Sequence, residues 1–215
     1  PTYHHSYKAN AITIPTGCLE RKLGLPGEDE YSRSGISYCA VCDGGFYRDK
    51  VITVIGGGNT ALEESDYLTR FGSVVHLVLR RDKARADKIY RDKVQANPKI
   101  KVHLSYSPTE ILGDGNKVTQ IVFKSNDPNR PEPMTLDTDG VFPLIGTIPN
   151  TEFLKDLPIL NKAGYILTDE KMATSIPGIF AAGDVREKTL RQVITAGNDG
   201  SIAGQEVYHW LESLK

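Results

Sequence analysis

Hydrophobic and polar positions along this chain change their period several times, and each change marks an element. Val51 to Ile55 is a run of five β-branched residues, apolar but for Thr53, which predicts a buried parallel strand. From Asn59 to Phe71 the period lengthens to that of a helix. Ala61, Leu62, Ser65, Leu68 and Thr69 form its small or apolar face, with Glu63, Glu64, Asp66 and Arg70 towards solvent. Val74 to Leu79 predicts a second strand, Lys83 to Gln95 a charged surface helix, and Ile100 to Leu104 a third strand. A strand-helix-strand-helix-strand series is the signature of an α/β, doubly wound parallel sheet of the Rossmann kind.

The pattern then shortens. Thr109 to Leu112, Val118 to Lys124 and Met134 to Leu136 are alternating segments separated by Gly113-Asp114-Gly115-Asn116 and by the proline-rich loop from Asn126 to Pro133. Asp-Gly between alternating segments is a hairpin signal, so a three-stranded antiparallel β-meander is expected. Val141 to Ile145 predicts another strand, placed near a sheet edge by Pro143. Shorter strands are expected at Asn10 to Ile14, Gly35 to Tyr38 and Gly164 to Thr168. The tail from Val193 to Leu214 predicts a helix with Ile202, Ala203, Val207, Trp210, Leu211 and Leu214 as its apolar stripe.

Composition narrows the function classes. A net charge of −1 and a pI near 6.6 favour neither nucleic acid nor an acidic membrane surface as a partner. No apolar run approaches the roughly 20 residues that a spanning helix needs. Three cysteines, two close together, suit a reducing compartment such as the cytoplasm rather than a secreted disulfide framework. Cys18 reads as a structural bystander, and His4-His5 as ordinary surface or tag-like sequence rather than a metal site. The opening residues from Pro1 read as the interior of a domain, so an N-terminal part is expected to be missing.

Three short motifs carry chemistry. Gly56-Gly57-Gly58-Asn59-Thr60-Ala61 is a G-x-G-x-x-A turn after a strand and before a helix. Gly56 permits the tight turn, Gly58 lets backbone approach a pyrophosphate, and Ala61 lets the helix pack closely on the strand. The helix N-terminus offers free N–H groups to the phosphates. At the end of the next strand, where an NAD site carries a carboxylate, stand Arg80 and Arg81, with Arg85 one turn on. Guanidinium groups suit a 2′-phosphate, which selects NADPH over NADH. The alternatives are a plain glycine turn and a solvated basic loop.

Cys39-Ala40-Val41-Cys42 can close a small-ring disulfide that a reductant opens, and the dithiol can pass electrons to a partner disulfide. Asp43 is the adjacent acid/base candidate. A zinc site would need two further ligands. Cys18, His76 and His103 show no paired spacing, so no metal is expected; two inert core cysteines remain the other alternative.

Together these residues resemble the low-molecular-weight thioredoxin reductases of bacterial type. The resemblance runs through Thr16-Gly17, the GLPGEDEY connector, Cys39 to Gly44, Gly56 to Glu64, Arg80-Arg81-Asp82 with Arg85, Gly146 to Asn150, Gly183-Asp184-Val185 and Arg191-Gln192-Val193. Ferredoxin–NADP reductases of similar build lack the cysteine pair. The resemblance implies a homodimeric flavoenzyme that moves electrons from NADPH through FAD to the Cys39–Cys42 disulfide and on to thioredoxin. It implies an NADPH domain at residues 23–145, inserted into a partial FAD-binding domain at 1–22 and 146–215 and swivelling on linkers near Gly17 to Gly24 and Ile145 to Asn150. It places Thr16, Gly17, Gly183 and Asp184 at the FAD site, Asp184 on the ribityl chain, and Arg191, Gln192 and Val193 along the isoalloxazine ring.

Family members also carry an N-terminal stretch with a first G-x-G-x-x-G turn for the FAD pyrophosphate. This sequence shows only the turn after Val51, so NADPH binding with weak or no FAD retention is expected of it. Two further readings stay open at this level: a reductase of the same build for another thiol partner, and a non-catalytic NADP-binding or redox-sensing module.

Overall fold

The β-branched run at Val51–Ile55 becomes an inner strand of a parallel sheet in the computed structural model, which describes residues 7–215. The His4-His5 pair lies outside the described residues. In chain order the elements are β1 (Ile12–Ile14), β2 (Cys18–Glu20), α1 (Ala40–Asp43), β3 (Val51–Ile55), α2 (Asn59–Leu68), β4 (Val74–Leu79), α3 (Lys88–Ala96), β5 (Ile100–Leu104), β6 (Tyr106–Gly113), β7 (Val118–Ser125), β8 (Met134–Asp137), β9 (Gly140–Pro143), β10 (Thr147–Pro149), β11 (Ile179–Ala181) and α4 (Val193–Ser213). They fall into two compact units. One is continuous, Arg21–Gly146; the other joins the residues up to Glu20 with Thr147–Lys215.

In the continuous unit four parallel strands lie in the order β5-β4-β3-β9. Strand β9 holds the edge, where Pro143 is tolerated, and an isolated bridge joins Val141 to Ile36 beyond it. Because strand side chains alternate, the two faces sort cleanly. Ile52, Val54, Val75, Leu77, Leu79 and Phe142 pack with Ala61, Leu62 and Leu68 of α2 and Val94 of α3. Ile55, Val78 and Val141 point the other way, against Ile111, Val118, Ile121 and Phe123 of the β6-β7-β8 meander. The result is helices, sheet and meander in three layers. At the β6–β7 turn the Asp114 carboxylate accepts from the N–H groups of Asn116 (2.8 Å) and Lys117 (2.9 Å), which hold it below the ordinary carboxylate range.

The second unit has a smaller core. Strands β1 and β11 pair in parallel and β2 and β10 antiparallel, with Ile14, Ile159, Ile166, Ala181 and Val185 buried between them and their loops. Helix α4 presses Ala203 on Met172 and Ala182. Its predicted stripe is only half covered, since Leu211 and Leu214 stay exposed.

Several segments differ from the sequence reading. Gly35 to Tyr38 and Gly164 to Thr168 form isolated bridges rather than strands, two at Ile36 and two at Ile166. The charged helix starts at Lys88, because the preceding residues are tied to the glycine turn. Glu64 and Asp66, expected in solvent, are half-buried and bonded to Ala40 and Asn97.

Candidate functional site

Cys39 and Cys42 are joined by a disulfide at the start of α1. Cys39 is the N-cap residue, and its sulfur accepts the Cys42 N–H at 3.1 Å. Cys42 is exposed and Cys39 half-buried, an asymmetry that leaves one sulfur open to attack. The Ala40 N–H next to Cys39 donates to Glu64 Oε2 at 3.1 Å, which ties the redox segment to α2. Asp43 is half-buried with its Oδ2 accepting the Ser37 hydroxyl at 2.7 Å. Tyr47 follows, its phenol pushed up by burial and by the Asp43 and Asp139 carboxylates.

The glycine turn opens α2 as its motif requires. Gly56 has φ +155, and a Cβ there would lie 2.4 Å from the Leu144 carbonyl oxygen and 2.7 Å from Ala61 Cβ. Gly58 is the N-cap residue, with no side chain bonded to the helix end and nothing within 4 Å of where a Cβ would stand. The exposed Asn59 and Thr60 at the start of the helix therefore face an open approach, while Ala61 is buried against the sheet. The Arg85 N–H donates to the Gly57 carbonyl at 2.8 Å, and Asn59 and Asp87 exchange two 2.8 Å hydrogen bonds. These contacts clip the arginine loop to the glycine turn. Arg80, Arg81 and Arg85 are exposed there, and none is paired with a carboxylate among the described residues. The Arg80 carbonyl is held by Asn126 Nδ2 at 2.9 Å.

The remaining predicted residues lie in the other unit. Asn150 zips the Thr16-Gly17 turn: its Nδ2 donates to the Thr16 carbonyl, its N–H to the Gly17 carbonyl, and its own carbonyl accepts the Thr16 hydroxyl. Gly183, at φ +81, starts a short 3-10 turn with Asp184 at the end of β11. Asp184 Oδ1 is buried with no partner among the described residues, which suits the hydroxyl of a ribityl chain. Arg191 stacks 4.2 Å from the Tyr165 ring centroid and donates to the Asp184 and Arg186 carbonyls. Gln192 and Thr195 form a reciprocal cap at the start of α4, leaving Val193 90% exposed. An exposed apolar residue beside an orphaned carboxylate and a capped helix fits a flat, partly polar ring system such as a flavin.

Sequence reasoning missed four supports. Asp199, 6% exposed, accepts on one oxygen from Arg186 (2.9 Å), Lys188 (2.8 Å) and the Gly183 N–H (3.1 Å). Burial alone would raise this carboxyl, but Lys188, Arg186 and the Gly183 N–H together hold it below the ordinary range. Glu28, also buried, accepts from the Leu23 and Gly24 N–H groups and from the Tyr38 hydroxyl. Ser37 joins Cys39 to Asp43. His76 and His103 meet, Nδ1 to Nε2 at 2.9 Å, across β4 and β5. Among the described residues, no group of three or more metal-ligating side chains gathers.

The sequence pattern of pyridine nucleotide-disulphide oxidoreductases matches residues 2–200. Thioredoxin reductase of Listeria innocua is 47% identical over 210 residues, 98% of this chain and 65% of the relative. That of Bacillus subtilis is 46% identical over 97% of this chain and 66% of the relative. The crystal structure of thioredoxin reductase from Streptococcus pyogenes superposes with a TM-score of 0.90 at 47% identity, covering 99% of this chain and 69% of that one. The chain thus spans about 65% of the length of its curated relatives. With the disulfide, the glycine turn and the family pattern all in one sequence, the chain belongs to the pyridine nucleotide-disulphide oxidoreductases.

Proposed function

We propose that this chain serves an NADPH-dependent thioredoxin reductase, with the Cys39–Cys42 disulfide as the group that receives and delivers electrons. One observation carries the reading: the disulfide at the start of α1 is bonded, through Ala40 and Glu64, to the helix that the dinucleotide turn opens. Redox thiols and a 2′-phosphate-selective arginine loop thereby belong to one compact unit. The name of the relatives, thioredoxin reductase, supports oxidised thioredoxin as the partner; a cytoplasmic homodimer is the setting that the family resemblance implies.

Residue by residue, the turn at Gly56 to Ala61 binds the NADPH pyrophosphate with its free N–H groups, and Arg80, Arg81 and Arg85 bind the 2′-phosphate. Asp184, Thr16 and Gly17 would hold FAD, with Arg191, Gln192 and Val193 beside its ring. FAD, when bound, supplies the two-electron relay between nicotinamide and disulfide. Once the disulfide is open, the exposed Cys42 sulfur is the one a partner reaches, and Asp43 manages the proton.

The test is an absorbance spectrum of the purified chain supplied with excess FAD, before and after NADPH, then after oxidised thioredoxin. The expected result is NADPH oxidation that depends on thioredoxin and vanishes in Cys42→Ser. Thioredoxin-independent NADPH consumption, unchanged in Cys42→Ser, would overturn the reading.

A further inference from the structure

Ser37 sits two residues before the predicted chemistry at Cys39, yet its single hydroxyl touches both Cys39 and Asp43. Its Oγ–H donates to Asp43 Oδ2 at 2.7 Å, and its oxygen accepts the Cys39 N–H at 3.2 Å. A hydroxyl has one proton to give, and the Cys39 carbonyl, at 3.4 Å, is the weaker acceptor. Ser37 is 6% exposed, and its own N–H is pinned to the Val141 carbonyl on β9 at 3.0 Å. The hydroxyl is thus fixed by the rigid sheet, not by the small redox helix it serves.

We propose that Ser37 is a positioning residue for thiol–disulfide exchange, holding the Asp43 carboxylate and the Cys39 backbone in one fixed relation. This rests on the reading that Asp43 is the acid/base of the dithiol. In the exchange, the reduced Cys39/Cys42 pair meets a partner disulfide. One thiolate attacks a partner sulfur and breaks the partner's S–S bond. The second thiol gives its proton to Asp43 and attacks the mixed disulfide, closing Cys39–Cys42. Asp43 returns that proton to the departing partner thiolate; the first thiol's proton reaches the other partner sulfur through water. Two electrons and two protons pass to the partner, and every sulfur is accounted for.

The hydroxyl matters because both of Asp43's tasks need its carboxylate aimed at sulfur rather than free to turn to water. Other charged or titratable groups around it do not supply this aim. Tyr47 follows on the next turn with Lys50 over its ring, Glu64 of α2 is bonded to Ala40, and Asp139, at the β8–β9 junction, bonds the Val51 N–H. These are a phenol, one cation and two further carboxylates, so the neutral Ser37 donor is the contact that fixes Asp43 Oδ2.

The experiment is a single-turnover cycle that needs no flavin. The chain is reduced with dithiothreitol, freed of it, and mixed with oxidised thioredoxin across pH 5.5 to 9. Ser37→Ala is expected to slow exchange about 5- to 10-fold and to alter its pH profile, while Ser37→Thr stays within about twofold. In an Asp43→Asn background, Ser37→Ala is expected to add less than about twofold. Equal slowing in both backgrounds, or no slowing in either, would overturn the positioning role while leaving Asp43's role intact. No effect of Asp43→Asn alone would instead sink the acid/base reading and this inference with it. Far-ultraviolet circular dichroism of each variant separates a lost fold from a lost contact.

Discussion

A single oxygen of Asp199 takes two cations and a backbone N–H in a site with little water. Removing its charge leaves Arg186 and Lys188 buried without compensation, so Asp199→Asn is expected to cost about 3 kcal/mol, read by urea denaturation. The sign with pH follows from the lowered carboxyl. The stabilisation is present above the ordinary aspartate range and is lost as pH falls through the folded value. The Gly183–Asp184 turn should loosen with it. Arg80 and Arg81 make a prediction of another kind, since neither is paired with a carboxylate among the described residues. Replacing both with alanine should leave stability within about 0.5 kcal/mol yet lower the preference for NADPH over NADH by roughly tenfold or more. Unchanged cofactor preference would remove them from the 2′-phosphate site. At this scale, residues whose partners are close in sequence were legible: the cysteine pair and the glycine turn. Asp199 and Glu64 were not, because their meaning depends on groups that only the fold brings near; Ser37 was missed although Cys39 and Asp43 are close in sequence, because no motif marks a serine at that offset. Glu64 meets Ala40 across 24 residues, and no period in the sequence announces that contact.

Elements show the same division. The strand-helix-strand-helix-strand series and the meander could be read because each apolar face repeats at its own period. The start of α3 could not, since residues 83–87 are helix-compatible but are spent on hydrogen bonds to Gly57 and Asn59. Nor could the pairing of His76 with His103, set by the β4–β5 register in which His76 faces Lys101 and Val78 faces His103. Burial, the His103 ring and Lys101 push His76 down to about 4, and burial and Lys101 lower His103 as well. Each ring therefore binds its proton more readily in the unfolded chain. Stability should be complete above the ordinary histidine value near 6.5 and fall as pH drops from there towards 4. Allowing for partial solvent screening, the loss by pH 5 is about 1 kcal/mol. His76→Gln should flatten that slope in thermal melts at pH 5 and pH 7; an unchanged slope would place the pH sensitivity elsewhere.

For the whole molecule, the decisive fact is that two units with separate cores share one chain that passes between them twice. The crossings lie side by side: Glu20 pairs with Thr147 at the end of the β2–β10 ladder, and the Arg21 N–H reaches the Gly146 carbonyl at 3.0 Å. Excising Arg21–Gly146 would thus sever only two backbone connections at neighbouring points, leaving intact the sheet, both of its packed faces, the disulfide and the dinucleotide turn. That piece should unfold in one cooperative thermal transition. NADPH at about 100 times its dissociation constant should stabilise it by about 2.7 kcal/mol, because the ligand binds only the folded form. In the whole chain the same addition should raise the transition of the Arg21–Gly146 unit and leave the other in place, which calorimetry can resolve. A single transition that moves as one would mean that the two cores unfold together, and that the continuous unit draws its stability from its neighbour rather than from the layers packed on its own sheet.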